Sequence, residues 1–281
     1  VEIKAADVKK LREKTGAGMM DCKKALTDAE GDFTKAEKIL KELGLAAAAK
    51  RGGKATNEGR IFAYAEGDKG VLLELSCETD FVARNTDFIN LGNELATQIL
   101  QENLDSVTPA LEEKMKDAIA KIKENMSIRR FKTMDAAEDE LISSYIHGEG
   151  RIGVIVKIKA SAASLTAEEE VKNFAFDTAL HVAAYNPPFL SEDRVDDAYL
   201  KEQEEIFRKQ AENLGKPEKV VEGIVKGKLR KHISEVCLVN QIFVKDNKRS
   251  LGTVAKDLGK SLDGEITVAD YLYFAVGEEL S

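Results

Sequence analysis

Gly70-Val71-Leu72-Leu73-Glu74-Leu75 returns later in the chain as Gly153-Val154-Ile155-Val156-Lys157-Ile158, and that return decides the fold. Just before each copy a second likeness holds, Ile61-Phe62-Ala63-Tyr64 against Ile142-Ser143-Ser144-Tyr145. The offsets are 83 for the first pair and 81 for the second, so the later copy needs a joining loop two residues longer. Runs of aliphatic and β-branched residues suit a pleated, half-buried surface. Each copy therefore reads as a hairpin of strand, glycine-containing turn and strand. A helical stretch comes after each, Asp87 to Gln101 and Ala167 to Tyr185. Two related subdomains of one α+β fold are the simplest inference.

Toward the start, the first fifty or so residues read as a small helical module. Val8 with Leu11, Cys22 with Leu26, and Phe33, Ala36, Leu40 and Leu43 each share a helical face. Asp32 is the expected N-cap of a third helix and Gly44 its expected stop, and Lys50-Arg51-Gly52-Gly53-Lys54 reads as a linker. Three short helices could bury a common stripe, but a core this small is marginal alone.

Beyond the second copy, Glu204 with Arg208 and Glu205 with Lys209 are i,i+4 pairs typical of an exposed helix. Gly215-Lys216-Pro217 breaks it, and Val221, Val225, Leu229 and Ile233 then form one apolar ridge. Two antiparallel helices, the first running from Glu192 to Leu214 for about 34 Å, predict a protruding hairpin. Residues Cys237 to Val244 and Ile266 to Val276 read as strands or near-strands returning to the second subdomain. The expected division is 1–54, 55–140, 141–190 with 234–281 as one subdomain, and 191–233 as the hairpin.

The copies differ beyond their strand hairpins. After the first comes Cys77-Glu78-Thr79-Asp80-Phe81-Val82-Ala83-Arg84-Asn85; after the second, Lys159-Ala160-Ser161-Ala162-Ala163-Ser164, with no acid beside an aromatic ring. By residue type Phe81 belongs in a core. As an exposed ring beside Asp80, it suits a partner's pocket. The sister copy's lack of an equivalent leaves both readings standing. Met19 and Met20, after a Gly-Ala-Gly turn, pose the same choice between core filler and adaptable contact, with Arg12 and Lys23 as a basic rim or as ordinary solvated charges.

Signs of catalysis are scarce. Gly259-Lys260-Ser261 lacks the earlier glycine of a phosphate loop, since position 254 is Val254, and reads as a turn. Gly16-x-Gly18 lacks a preceding strand and a third glycine. His147, His181 and His232 have no metal-ligand spacing; His181 reads as a packed side chain and His147 as a turn residue open to contact. No acid pair or nucleophile context stands out, so no enzyme and no cofactor is expected. A net charge of -8 argues against general nucleic-acid binding, although Lys226, Lys228, Arg230 and Lys231 would form a basic stripe for RNA on the hairpin. Three widely spaced cysteines, no leader in Val1-Glu2-Ile3-Lys4 and no long apolar run point to the cytoplasm and to no membrane span.

Two segments carry a family resemblance. Thr15-Gly16-Ala17-Gly18-Met19-Met20-Asp21-Cys22-Lys23-Lys24-Ala25-Leu26 and Cys77 to Asn85 resemble the two signatures of translation elongation factor Ts, in its long bacterial form. Ile128-Arg129-Arg130, Tyr145-Ile146-His147-Gly148 and His181-Val182-Ala183-Ala184 extend the likeness over nearly the whole chain. The resemblance implies a guanine-nucleotide exchange factor for the GTPase elongation factor Tu, with no reaction of its own and no direct nucleotide binding. It implies that the first module is like a ubiquitin-associated domain and docks through Arg12, Met19, Met20 and Lys23. It also implies that Thr79, Asp80, Phe81 and Val82 dislodge the partner's Mg²⁺, with Phe81 as the wedge, Asp80 anchoring the loop and His147 in a second contact. The hairpin would be a coiled coil. Some relatives continue past a Val-Gly-Glu segment into a helical module; this sequence ends at Val276-Gly277-Glu278-Glu279-Leu280-Ser281, so any contact from that module is expected to be absent or replaced.

Overall fold

In the computed structural model, which describes residues 3–280, the strand carrying Gly70 to Leu75 is the middle one of three. Val1, Glu2 and Ser281, at the two ends of the sequence, lie outside the described residues. β1 (Glu58–Glu66) and β2 (Lys69–Cys77) form an antiparallel hairpin, and β3 (Met126–Asp135) pairs antiparallel with the other side of β2. The second copy repeats the pattern with β4 (Glu140–His147), β5 (Ile152–Ala160) and β6 (Ile266–Ala275). The joining loops are residues 67–68 and 148–151, the difference the offsets require. Even the β-bulges correspond: register slips between Glu74 and Leu75 against β3, and between Lys157 and Ile158 against β6.

Side chains alternate across a strand, and β2 is buried on both faces. Val71, Leu73 and Leu75 meet a helical layer, whereas Leu72 joins Ile61 and Met134 against Ile142, Ile155, Leu272 and Phe274 of the second sheet. A strand covered twice loses the polar alternation of a one-sided strand, hence the unbroken apolar run. The glycines that open each copy lie within strands, and the glycine-containing turns hold Gly67 in the first copy and Gly148 and Gly150 in the second. A Cβ on Gly70 would sit 3.1 Å from Ile142 and Ile155, and one on Gly153 would sit 2.4 Å from Ile61 and 3.2 Å from Leu72. Each glycine thus admits the other repeat's equivalent residues, and the two sheets meet through the same patch used twice.

Helices complete the outer layers. On the first sheet lie α5 (Thr86–Gln101) and α6 (Pro109–Ile122), which start at Asn85 and Thr108, each side chain accepting a backbone N–H. Phe88, Leu95 and Ile99 of α5 are fully buried at helical spacing. Truncating Phe88 to alanine would cost about 3–5 kcal/mol. On the second sheet lie α7 (Glu169–Tyr185) and α10 (Leu251–Ser261). The sequence reading missed α10 and took Gly259 to Ser261 as a turn; they are its last residues. Ser250 caps it, and Leu251 and Ala255 are buried one turn apart. The segment from Cys237 to Val244 is likewise not a strand. It holds a 3₁₀ turn at Leu238–Asn240 and two isolated bridges, Phe189 with Cys237 and Ile242 with Ser250.

The first module comprises α1 (Ala5–Thr15), α2 (Met19–Asp28) and α3 (Phe33–Arg51) around Val8, Leu11, Cys22, Ala25 and Leu26. Asp32 accepts the Lys35 N–H as expected of a cap. Gly44 does not stop α3, and Lys50 and Arg51 of the supposed linker are helical. A Cβ on Gly44 would lie 2.5 Å from the Ala120 Cβ, so the glycine lets α3 cross close against α6. The hairpin consists of α8 (Asp197–Glu212) and α9 (Glu218–Val236), antiparallel through Arg208–Glu218 at 2.8 Å and Tyr199–His232 at 2.8 Å. α8 begins five residues later than read, after a 3₁₀ turn and the Asp196 cap. Val221, Val225 and Ile233 bury the predicted ridge. No helix among the described residues is long and apolar enough to cross a membrane.

Candidate protein-contact site

The end of β2 runs into a single helical turn, α4 (Asp80–Ala83). Thr79 caps it: its Oγ1 accepts the Val82 N–H at 3.3 Å and donates to Glu124 Oε1 at 2.7 Å, while its own N–H donates to Glu124 Oε2 at 3.0 Å. Cys77 donates its thiol hydrogen to the Thr79 carbonyl at 3.1 Å. Burial, reinforced by the Glu124 charge, pushes that thiol up to about 12, which keeps the donor protonated. Ala83 is buried and Val82 packs against the first core, so the inner side of α4 is anchored. Phe81 points the other way and is 82% exposed.

That exposure overturns the core reading of Phe81: it fills none of the cores. The anchoring contacts belong to Thr79; Asp80 reaches Arg84, one turn on, at 3.7 Å. Met19 and Met20 lie at the start of α2 and are 56% and 75% exposed, so neither is core filler. Arg12 and Lys23 are exposed as well. His147 ends β4, is exposed, and shares a 3.0 Å hydrogen bond from Nδ1 with the Tyr145 hydroxyl. Tyr145 stands edge-on to Phe176, their centroids 5.8 Å apart.

Ion pairs link these three sets. Lys123 bonds Asp21, in the first turn of α2, at 2.8 Å, and is followed by the Glu124 that holds Thr79. Arg84 lies 3.9 Å from Glu149, in the turn just after His147. Glu124 and Phe176 escaped the sequence reading. Phe176 was legible, since it stands two residues from the buried Phe174 and cannot share its face. Glu124 had no local signal.

His181 is fully buried, as a packed side chain should be. Its Nδ1 accepts the Val244 N–H at 3.1 Å, which leaves Nε2 to donate to Gln241 at 2.8 Å. Burial holds it neutral. The hairpin stripe is not continuous: Lys228 reaches Gln210 at 2.7 Å and covers the Phe207 ring, and Lys231 pairs with Glu235 at 3.8 Å.

Exposed methionines and an outward phenyl ring on a braced turn are apolar surface that none of this chain's cores covers. A family model described as "Elongation factor TS" matches residues 78–278. Elongation factor Ts of Treponema denticola is 46% identical over 277 residues, covering 99% of each chain. Elongation factor Ts of Borreliella burgdorferi is 44% identical over 276 residues, covering 98% of this chain and 99% of that one. This chain belongs to the elongation factor Ts family, which makes it a nucleotide exchange factor of translation elongation and not an enzyme.

Proposed function

We propose that the chain opens the nucleotide site of elongation factor Tu by inserting Phe81, and so speeds release of GDP. The observation that carries this reading is a large apolar ring, 82% exposed, on a turn whose backbone is held by Thr79. A ring left in water at that position gains by burial in a partner, and its rigid mount lowers the ordering cost. Thr79 to Val82 disturb the surroundings of the Mg²⁺ that bridges nucleotide and GTPase. Weakening the ligands of that cation weakens the hold on GDP.

Arg12, Met19, Met20 and Lys23 dock the first module, of ubiquitin-associated type, on the GTPase. His147, with Tyr145 and Phe176, grips it from the second subdomain, and α8 with α9 forms a coiled coil. The working units are 1–54, 55–140, 141–190 with 234–281, and 191–233, acting in the cytoplasm. Because the factor prefers the empty GTPase, linkage requires returning nucleotide to expel it with the same coupling energy. Release of fluorescent GDP from elongation factor Tu, timed with and without this protein, tests the reading: acceleration supports it, and an unchanged rate refutes it.

A further inference from the structure

Thr79 is held from a distant part of the chain, and the hold is reciprocal. α6 ends at Ile122, and the left-handed backbone of the next residue, Lys123 (φ 69°), turns the chain back toward the end of β2. Glu124 then takes both donors of Thr79, hydroxyl and N–H, at 2.7 and 3.0 Å. In return Glu78 accepts the Asn125 N–H at 2.6 Å, and the Asn125 side chain donates to the Lys54 carbonyl at 2.7 Å. Glu78 also receives Arg51 at 3.3 Å and Lys54 at 3.0 Å from the end of the first module. Two neighbouring carboxylates on facing turns thus each bind the backbone of the opposite turn.

We infer that Glu124 is a positioning residue for exchange: by binding both donors of Thr79 it fixes the start of α4 and thereby aims Phe81. The inference rests on the wedge reading of Phe81 and adds a residue to it. A carboxylate is suited to the task because both of its oxygens accept, so one side chain satisfies a hydroxyl and an N–H together. Glutamine has the same size but only one acceptor oxygen, so the Thr79 donor that faced the other oxygen meets an amide NH2 instead. The phenyl ring remains, but its mount loosens. Small misplacements at a working geometry cost rate more than affinity.

The test measures GDP release from elongation factor Tu at saturating factor, and the factor concentration giving half that rate. It compares the unaltered protein, Glu124→Gln, Phe81→Ala and the double variant, with melting curves for each. Glu124→Gln is expected to slow saturated release about fivefold, to shift the half-saturating concentration less than about twofold, and to add no slowing once Phe81 is alanine. Should Glu124→Gln melt near the assay temperature, Thr79→Val removes the same hydroxyl bond from the other side, together with the cap on Val82, and replaces it in the cycle. Equal slowing in both backgrounds, an unaltered rate, or a change confined to the half-saturating concentration overturns the role of Glu124. Slow Phe81→Ala with fast Glu124→Gln overturns the positioning role alone. An unaltered rate for Phe81→Ala overturns the wedge reading and this role with it.

Discussion

Glu74 accepts a hydrogen bond from Arg130 Nε at 2.7 Å on the face that the first sheet turns toward the second. The carboxylate is 1% exposed, and Arg129 and the Gly277 N–H satisfy its other oxygen at 2.8 and 2.9 Å. Arg130 continues to the Ala275 carbonyl and to Glu278, and lies over the Phe274 ring. The corresponding position of the second copy is Lys157, paired with Glu140. One repeat position therefore carries opposite charges, and only the first copy uses it to bind the end of the chain across the sheets.

Replacing Glu74 by leucine leaves two arginines facing a buried, unpaired position. We expect a loss of about 3 kcal/mol, the low end for breaking a buried pair because both arginines keep some solvent. Urea unfolding of the variant beside the parent measures it; a loss below about 1 kcal/mol contradicts the assignment.

His181 provides a pH dependence whose sign is fixed. Burial lowers its folded value below the ordinary 6.5. Above that pH both states are neutral and nothing changes. As pH falls below about 6.5, the unfolded chain takes up a proton that the folded chain refuses, so stability drops by at most about 1.4 kcal/mol per pH unit. The imidazole resonance of His181 should titrate below 6.5 while the urea midpoint falls between pH 6.5 and 5.5; titration above the ordinary value contradicts the buried, neutral assignment.

Much of this architecture was legible from the sequence, for reasons that differ by element. The duplication appeared because β2 and β5, buried on both faces, carry nearly continuous apolar runs that are easy to match. α10 was equally readable from Ser250 and its spaced apolar residues, but strand-like flanks drew the reading elsewhere. Gly44 misled because a glycine serves both a helix stop and a close crossing, and only the position of Ala120 tells them apart. The contact site was half visible. Its residues stood out, but the exposure of Phe81 is a tertiary property, and the bond between Thr79 and Glu124 joins segments with no sequence signal between them.

Met19 and Met20 test the docking of the first module. Both are more than half exposed, so Met19→Ala with Met20→Ala should change unfolding free energy by no more than about 0.5 kcal/mol per site. Affinity for elongation factor Tu should fall about tenfold or more, as expected when interface anchors are truncated. A titration set beside a denaturation curve separates the two. A loss of binding matched by a loss of folding would contradict the docking role of both residues.

The central claim is that the exposed ring of Phe81, and not the fold around it, opens the GTPase. Fluorescent-GDP release from elongation factor Tu at saturating factor, with Phe81→Ala beside the unaltered protein, tests it most directly. The account predicts release slowed by about tenfold, within the range of ordinary coupling energies, and a melting temperature unchanged because the ring supports nothing within the chain. Release at the unaltered rate by a folded Phe81→Ala protein would contradict it.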